Sequence, residues 1–265
     1  MRRNPGPVHG EPLPASFLKH ADEQTVAGLC SVYQAIEKAG LQACCFRDWG
    51  VVAAPRFLGR PTMAAALQRF AAEGAWGVSP HLIPHRSLHS ISGTVSQALK
   101  IHGPNFGVGG GPGGTIEVLL AATALLEGKR LPGVWMVLTC LDPESPPDEA
   151  GRLTPGTQAV GVALALTPIH PSRSRLRLHL VRGTPDAETL AQVKGFEGKG
   201  AAGFDLLRFE ALLHLLYGPR GGEMTIVHLL DSRSRIELSR IPGTNDLARA
   251  NLQRLREQPL MMVSG

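Results

Sequence analysis

The chain has 265 residues, of which 43% are hydrophobic and 18% charged, and its formal net charge is +5. This length suits one large domain or two small ones with a sizeable buried core, and the composition excludes a disordered chain. The positive charges are scattered except at Arg173, Arg175 and Arg177. Because no aromatic residues are interleaved with these arginines, we interpret them as a solvated strand edge and expect no nucleic acid partner.

The cysteines predict neither a disulfide framework nor a metal site. Cys30, Cys44, Cys45 and Cys140 lie in apolar segments and are expected to be buried free thiols. The amino terminus has two arginines but no apolar core after them, so we expect no signal peptide. No apolar run approaches the roughly 20 residues that a membrane-spanning helix needs, so we expect a cytoplasmic protein.

After a proline-rich lead-in over residues 1–21, helices and strands alternate along the first half of the chain. The predicted elements are a helix over 22–40, a strand over 44–54, an alanine-rich helix over 61–74, a loop with two prolines, a helix from Ser87 to Leu99, a short strand before the glycines, a buried helix over 115–129, a strand over 133–141 and a central strand over 158–168. This alternation predicts an α/β fold with a mainly parallel, covered sheet.

The pattern changes after residue 170. Charged and apolar residues alternate over 174–183, which predicts an edge strand, and residues 204–218 are typical of an amphipathic helix. Residues 223–240 predict a hairpin, and the tail begins as a short helix. We therefore divide the chain into the lead-in 1–21, an α/β half over 22–170 and a shorter second half over 171–265.

The most informative segment is the glycine-rich elbow from Gly103 to Thr115, which joins a short strand to a buried helix. Such a turn places backbone N–H groups and the positive end of a helix dipole at one point, which suits a phosphate, an oxyanion or an activated nucleophile. Gly109, Gly111 and Gly114 match G-x-G-x-x-G in letters. No lysine follows the glycines, and the next predicted strand ends at Cys140 and Leu141 with Asp142 just beyond, so neither a P-loop nor a dinucleotide site is predicted.

Four segments together resemble one protein family. They are "AIEKAGL" at 35–41, "SPHLIPHRSLHSISGTVSQALKIHGPN" at 79–105, the elbow after GPN, and "VGVALALTP" at 160–168. In order and spacing they resemble the amino-terminal half of the β-ketoacyl synthases (ketosynthases) of the thiolase-like superfamily, over about residues 22–168. The resemblance implies a thiolase-like layered α/β fold, with the second half reduced to a few strands and helices.

The chain departs from that family at the catalytic residues. Where the family has a cysteine that heads the buried helix, this chain has Gly111, Pro112 and Gly113, and the nearest hydroxyl is Thr115, which we interpret as a helix cap. The family's two histidines have no counterpart in matching context, since His214 and His228 lie in unrelated segments. The chain is therefore similar to a chain length factor, the cysteine-less partner of an active ketosynthase.

The elbow is the candidate site for an acyl group or an oxyanion. Its residues are Asn105, Phe106, Gly109, Gly110, Gly111, Pro112, Gly113, Gly114 and Thr115. The candidates for acid–base work beside it are His89, His102 and Glu117. His81, His85 and His89 are spaced by four, but Pro80 and Pro84 interrupt a helix there, so no metal site is predicted. Trp49 and Trp76 are interpreted as packing residues, and no cofactor is predicted.

Three functions remain open from the sequence. The first is a non-catalytic ketosynthase-like subunit of fatty-acid or polyketide-type biosynthesis, which shapes or binds an acyl chain beside an active ketosynthase. The resemblance implies a homodimer or a heterodimer with that ketosynthase, and acyl carrier protein as a further partner. The second is an enzyme of the acyltransferase class that reuses the elbow as an oxyanion hole. The third is a coenzyme A or nucleotide-binding module that uses the elbow and the Arg173–Arg177 stretch.

Overall fold

The structure is a computed structural model that describes residues 13–14, 16–80, 82–111, 113–144, 146–148, 152–168, 175–183, 225–231 and 234–241. The chain divides into two compact units, residues 1–168 with 262–265, and residues 169–261. The elements of the first unit are α1 (Glu23–Ala39), β1 (Gly50–Pro55), α2 (Arg60–Glu73), α3 (Leu82–Arg86), α4 (His89–Leu99), β2 (Asn105–Gly107), α5 (Gly114–Lys129), β3 (Val134–Asp142) and β4 (Gln158–Leu166). A 3₁₀ turn, Gly74–Gly77, follows α2 directly.

The first unit is built on a four-stranded sheet with the order β2-β1-β3-β4. β1 pairs in parallel with both β2 and β3, whereas β3 pairs antiparallel with β4. β1 is buried along its whole length, as is β3 over its first six residues. The predicted mainly parallel, buried sheet is thus confirmed for this unit.

Helices cover both faces of the sheet. Side chains alternate between the two faces along each strand, so neighbouring residues of β1 pack against different helices. Val51 and Ala53 of β1 belong to the core under α1 and α4, together with Trp135 and Val137 of β3. The next residue of β1, Ala54, faces α5 instead. A Cβ added to Gly114 of α5 would lie 3.4 Å from the Ala54 Cβ. This places the elbow and the first turn of α5 on the opposite face from α1 and α4.

α1 has the ends that the sequence predicts. Asp22 is its N-cap, and the side chain accepts a hydrogen bond of 2.8 Å from the Thr25 N–H. Gly40 ends the helix in the left-handed conformation at φ 67°, which glycine adopts without steric cost. The apolar stripe of α1 is buried against the sheet and α4. The predicted helix over 22–40 is therefore confirmed.

The second unit contains β5 (Arg175–Arg182), β6 (Thr225–Asp231) and β7 (Ser234–Ile241). They form an antiparallel sheet with the order β5-β7-β6, in which Ile236 and Leu238 are buried. The predicted edge strand and hairpin are confirmed. The predicted helix over 204–218 and the predicted tail helix lie outside the described residues.

Several predicted boundaries and positions are wrong. β1 begins at Gly50 and not at Cys44, because the preceding residues form a turn in which the Trp49 N–H donates to the Phe46 carbonyl. The loop with two prolines contains the one-turn helix α3, and Pro84 lies inside it. β4 is an edge strand of the described sheet and not a central one, because the chain returns from β3 antiparallel.

Three predictions about burial are also wrong. α5 is buried only over its first half, since Gly114, Ile116, Val118, Leu119 and Ala122 are its buried residues. Trp49 packs in the core as predicted, but Trp76 is completely exposed. All four cysteines are free as predicted, yet Cys45 lies exposed in the turn before β1.

No helix among the described residues is both long and apolar enough to cross a membrane.

Candidate functional site

The elbow turns sharply between the end of β2 at Gly107 and the start of α5 at Gly114. Gly109 and Gly110 take φ angles of 75° and 98°, in the region that favours glycine. A Cβ on Gly109 would lie 2.7 Å from the Gly114 Cα, a distance that real Cβ atoms do not show. The glycines are therefore required by the backbone path, which brings the two ends of the turn into contact.

Neighbouring segments hold the elbow in place through backbone groups. The Val108 N–H donates to the Ala53 carbonyl at 2.8 Å, and the Phe57 N–H donates to the Gly110 carbonyl at 3.0 Å. Leu88, just before α4, covers the other side, and its side chain lies 3.1 Å from where a Cβ on Gly110 would be. The turn after β1 and the residue before α4 thus fix the elbow from two directions.

α5 begins without a side-chain cap, so the predicted capping role of Thr115 is wrong. The N-cap is Gly113, and Thr115 lies inside the first turn of the helix. The elbow satisfies some of its own amides, since the Gly114 N–H donates to the Gly111 carbonyl at 3.4 Å and the Ile116 N–H to the Gly113 carbonyl at 3.1 Å. Fewer N–H groups are therefore available to a ligand than an uncapped helix start offers in general.

Glu117 directs its carboxylate back toward the elbow. Its Oε2 lies 3.2 Å from the position of a Cβ on Gly109, and its Oε1 lies 3.6 Å from the position of a Cβ on Gly113. The positive end of the α5 dipole favours a carboxylate there. Because this negative charge lies beside the elbow glycines, it opposes the build-up of an oxyanion at the same place.

Gly111 is the roomiest position of the elbow. A Cβ on Gly111 would meet no heavy atom within 4 Å, and the residue is not among those with a positive φ. A side chain at this position would therefore fit without moving the backbone. Pro112, its neighbour, lies outside the described residues.

The other two acid–base candidates have contacts of their own. His89 is the first residue of α4, where its Nδ1 lies 3.3 Å from the Ser92 Oγ and its ring lies over Gly93. His102 is exposed and precedes β2, whereas the sharp turn between Gly107 and Gly114 follows that strand; the His102 backbone N–H donates to the Arg47 carbonyl at 2.7 Å. Of the three candidates, Glu117 is the one that the described contacts place on the elbow.

Asn105 and Phe106 form β2 and are half-buried. His85 lies in α3, where its ring packs near the ring of His20, with their centroids 5.6 Å apart. His81 lies outside the described residues, as do Arg173 and His214. Among the described residues, no cluster of three metal-ligating side chains is present.

A charged cluster that the sequence did not predict adjoins the elbow. Arg56 forms a two-point ion pair with Glu144, with Nη2 to Oε2 at 2.6 Å and Nε to Oε1 at 3.1 Å. The Arg60 guanidinium lies 3.8 Å from the centre of the Phe57 ring, and Phe57 itself has a left-handed φ of 49°. Arg56 and Glu144 are 88 residues apart, so no local pattern could reveal the pair.

Polar side chains lie beside this cluster, at the carboxyl ends of β1 and β3. Burial raises the pKa of the Glu144 carboxyl, and the charge of Arg56 acts against that rise. Burial also raises the pKa of the Cys140 thiol, to about 11. The Gln24 side-chain amide connects the residue after β1 to β3. It donates to the Arg56 carbonyl at 3.0 Å and accepts from the Thr139 hydroxyl at 2.9 Å.

A shallow cavity of about 420 Å³ opens at the amino-terminal ends of α1 and α2. Its lining residues are Asp22, Glu23, Gln24, Gly59, Pro61, Thr62, Leu141, Arg152 and Leu153. None of the described elbow residues is among them. The cavity and the elbow are therefore separate features of the first unit.

Comparison with known proteins identifies the fold as that of the ketosynthases and chain length factors. No family model and no curated protein matches the sequence. Among solved structures, the chain is similar to the AntDE:AntF complex, a type II PKS acyl-carrier protein with its ketosynthase bound to the hexaketide. The identity is 12%, with a TM-score of 0.56 and coverage of 86% of each chain.

A second similar structure is the ishigamide ketosynthase/chain length factor, at 14% identity and a TM-score of 0.53, with 84% of this chain and 82% of that chain covered. A third is the ketosynthase ApeO in complex with its chain length factor ApeC from Xenorhabdus doucetiae, at 16% identity and a TM-score of 0.49, with 86% of this chain and 81% of that chain covered. The thiolase-like α/β fold that the sequence resemblance implied is thus confirmed.

Proposed function

We propose that this chain is a non-catalytic ketosynthase-like subunit that shapes or binds an acyl chain beside an active ketosynthase. The observation that carries the proposal is the elbow itself. It keeps the strand-to-helix turn that presents a nucleophile in ketosynthases, but Gly111, Pro112 and Gly113 stand where the cysteine would be. Condensation through an acyl-enzyme needs that nucleophile, and none of these residues can attack a thioester.

Among the described residues, neither Cys140 of β3 nor Glu117 replaces the missing cysteine. The raised pKa of Cys140 leaves its thiol protonated near neutral pH, and a protonated thiol is a poor nucleophile. Glu117 lies on the elbow glycines, but its charge disfavours the oxyanion that acyl transfer requires. The described geometry therefore supports a binding role better than the acyltransferase alternative.

The sheet edge supports a partner. Within the described residues, β2 lies at the edge of its sheet, with one side paired to β1 and the other unpaired. An unpaired edge can accept a strand from another chain. The structures of similar fold are a ketosynthase with a chain length factor and a ketosynthase with an acyl-carrier protein. We therefore propose an active ketosynthase as the partner, with acyl carrier protein as the source of the acyl thioester.

The test uses the chain alone and co-expressed with the intact ketosynthase of its own organism. Both preparations are incubated with acyl carrier protein thioesters and examined by intact mass spectrometry. We expect a complex of the two chains and an acyl adduct on the ketosynthase alone. An acyl adduct on the wild-type chain, or condensation by this chain without a ketosynthase, would contradict the proposal.

Gly111→Cys provides a positive control for access to the elbow. The new side chain fits because a Cβ at this position meets no heavy atom within 4 Å. A thiol just before the start of α5 is expected to react, since a helix amino terminus lowers a cysteine's pKa. Labelling of Gly111→Cys by iodoacetamide, together with no acyl adduct on the wild type, would show that the elbow is accessible and lacks only the nucleophile.

A further inference from the structure

The α2 helix exposes an unusual apolar surface. Met63, Leu67 and Phe70 follow one another at spacings of four and three residues, so they share one face of the helix. Their exposed fractions are 42%, 65% and 55%, and that of Trp76 in the following turn is 100%. These are the large hydrophobic side chains that are exposed in the described part of the chain. We call them the α2 face.

Little within the described chain supports this helix. None of the residues of α2 is buried, and its main packing partner is the 3₁₀ turn that follows it. From Pro61 to Pro80 the sequence has only two charged residues, Arg69 and Glu73. An isolated helix of this length is marginal in water, and a helix in permanent contact with water usually carries more charge. Both properties are typical of a helix that another chain covers.

α2 follows directly on a turn that contacts the elbow. The Phe57 N–H bonds the Gly110 carbonyl, and α2 starts three residues later at Arg60. The Arg86 guanidinium of α3 donates to the Thr62 hydroxyl at 3.2 Å, which fixes the first turn of α2. α2 therefore starts after the carboxyl end of β1, which is the same end of the sheet at which the elbow follows the parallel strand β2.

β2 is too short to form a stable interface by itself, so a partner that pairs with it needs additional contact area. β2 has three residues, whereas a stable interface buries about 800 Å² on each partner. Interface cores are enriched in Trp, Phe and Met, and each buried aromatic side chain contributes about 150–250 Å². We infer that the α2 face is the apolar core of the contact with the ketosynthase chain that pairs at β2, an inference that rests on the proposed function.

A membrane surface fits the α2 face less well. Helices that lie on bilayers carry several Lys or Arg residues on their polar side, and α2 has only Arg60 and Arg69. A second copy of this chain is the other possible occupant. Both are outcomes that the following experiment distinguishes.

The complex with the ketosynthase is prepared with p-benzoylphenylalanine in place of Leu67, and a control carries it in place of Ala43, which is exposed after α1. On irradiation we expect a cross-link from position 67 to the ketosynthase and none from position 43. A complex that forms without a cross-link at 67, or with one to a second copy of this chain, would overturn the inference and leave the proposed function standing. Failure of any complex to form would overturn both.

Two matched variants measure the contribution of the α2 face. Leu67→Gln combined with Phe70→Gln should raise the Kd for the ketosynthase at least about tenfold, as the loss of a buried interface anchor does. Gln68→Ala should leave the Kd unchanged, because Gln68 lies about 100° around α2 from Leu67 and farther still from Phe70. All three side chains are exposed, so the circular dichroism of the free chain should not change. Equal Kd values for the two variants would refute the inference, as would binding of the free chain to anionic phospholipid vesicles that the double variant abolishes.

Discussion

At the scale of single residues, backbone conformation determines which residues the elbow can contain. Gly109 and Gly110 take left-handed φ angles, and the contact of Gly109 with Gly114 leaves no room for a side chain. Phe57 takes a left-handed φ as well, without being glycine, and uses its N–H to hold the Gly110 carbonyl. Strain of this kind persists only where the surroundings fix the residue, and the hydrogen bond from Phe57 to Gly110 fixes the turn after β1 against the elbow.

The reactivity of the cysteines is a residue-scale prediction. With a pKa of about 11, the Cys140 thiol is ionised in only about one molecule in a thousand near pH 8. Cys45 is exposed, so we expect iodoacetamide to modify Cys45 and to leave Cys140 unmodified in the native chain. Peptide mass spectrometry measures both sites, and in urea Cys140 should react as well. Rapid native labelling of Cys140 would contradict the burial described here.

At the scale of elements, close packing joins α1 to the sheet and to α4. Gly28 of α1 lies where a Cβ would be 2.9 Å from the Ile91 Cγ2 of α4 and 3.2 Å from the Thr139 Cγ2 of β3. The helix can approach the sheet this closely because position 28 has no side chain. The sequence pattern predicted the apolar stripe of α1 but gave no sign of this contact.

We expect Gly28→Ala to lower the free energy of unfolding by about 1–3 kcal/mol, as overpacking in a filled core does. Gly128→Ala is the matched control, because it lies near the end of α5 with no heavy atom within 4 Å of its Cβ position. There alanine should stabilise the helix by up to about 1 kcal/mol. Urea unfolding of both variants checks the pair, and similar effects of the two substitutions would contradict the packing at Gly28.

At the scale of the whole molecule, the buried charges make stability depend on pH. Asp22 is buried as the N-cap of α1, and burial raises the pKa of its carboxyl above the ordinary value of 3.8, against the hydrogen bond from Thr25 and the charge of Arg86. The unfolded chain therefore releases this proton at a lower pH than the folded chain. Above pH 3.8, rising pH thus lowers the stability until the folded carboxyl ionises too.

Asp22→Asn keeps a capping oxygen but cannot ionise, so we expect its stability to fall less than that of the wild type as the pH rises from about 3.8. Asp22→Ala removes the cap and should cost about 1 kcal/mol at every pH. Urea unfolding across the acidic range measures these slopes, with Glu127→Gln, at an exposed position of α5, as the control. An unchanged slope in Asp22→Asn would show that Asp22 is not the group responsible.

The sequence by itself determined the local features of this protein. The extent of α1, the strand–glycine–helix order of the elbow and the missing cysteine could be predicted from it, because periodicity, φ preferences and residue identity are properties of a few neighbouring residues. Only the tertiary structure decided that β4 lies at the edge of the described sheet, that Arg56 pairs with Glu144, and that the α2 face is exposed.

These tertiary features could not be predicted because the residues that form them are far apart along the chain. A partner 88 residues away, as in the pair of Arg56 and Glu144, leaves no mark on local composition. An apolar segment also has the same pattern whether its own chain or another covers it, which is why Trp76 was interpreted as a packing residue and is exposed instead.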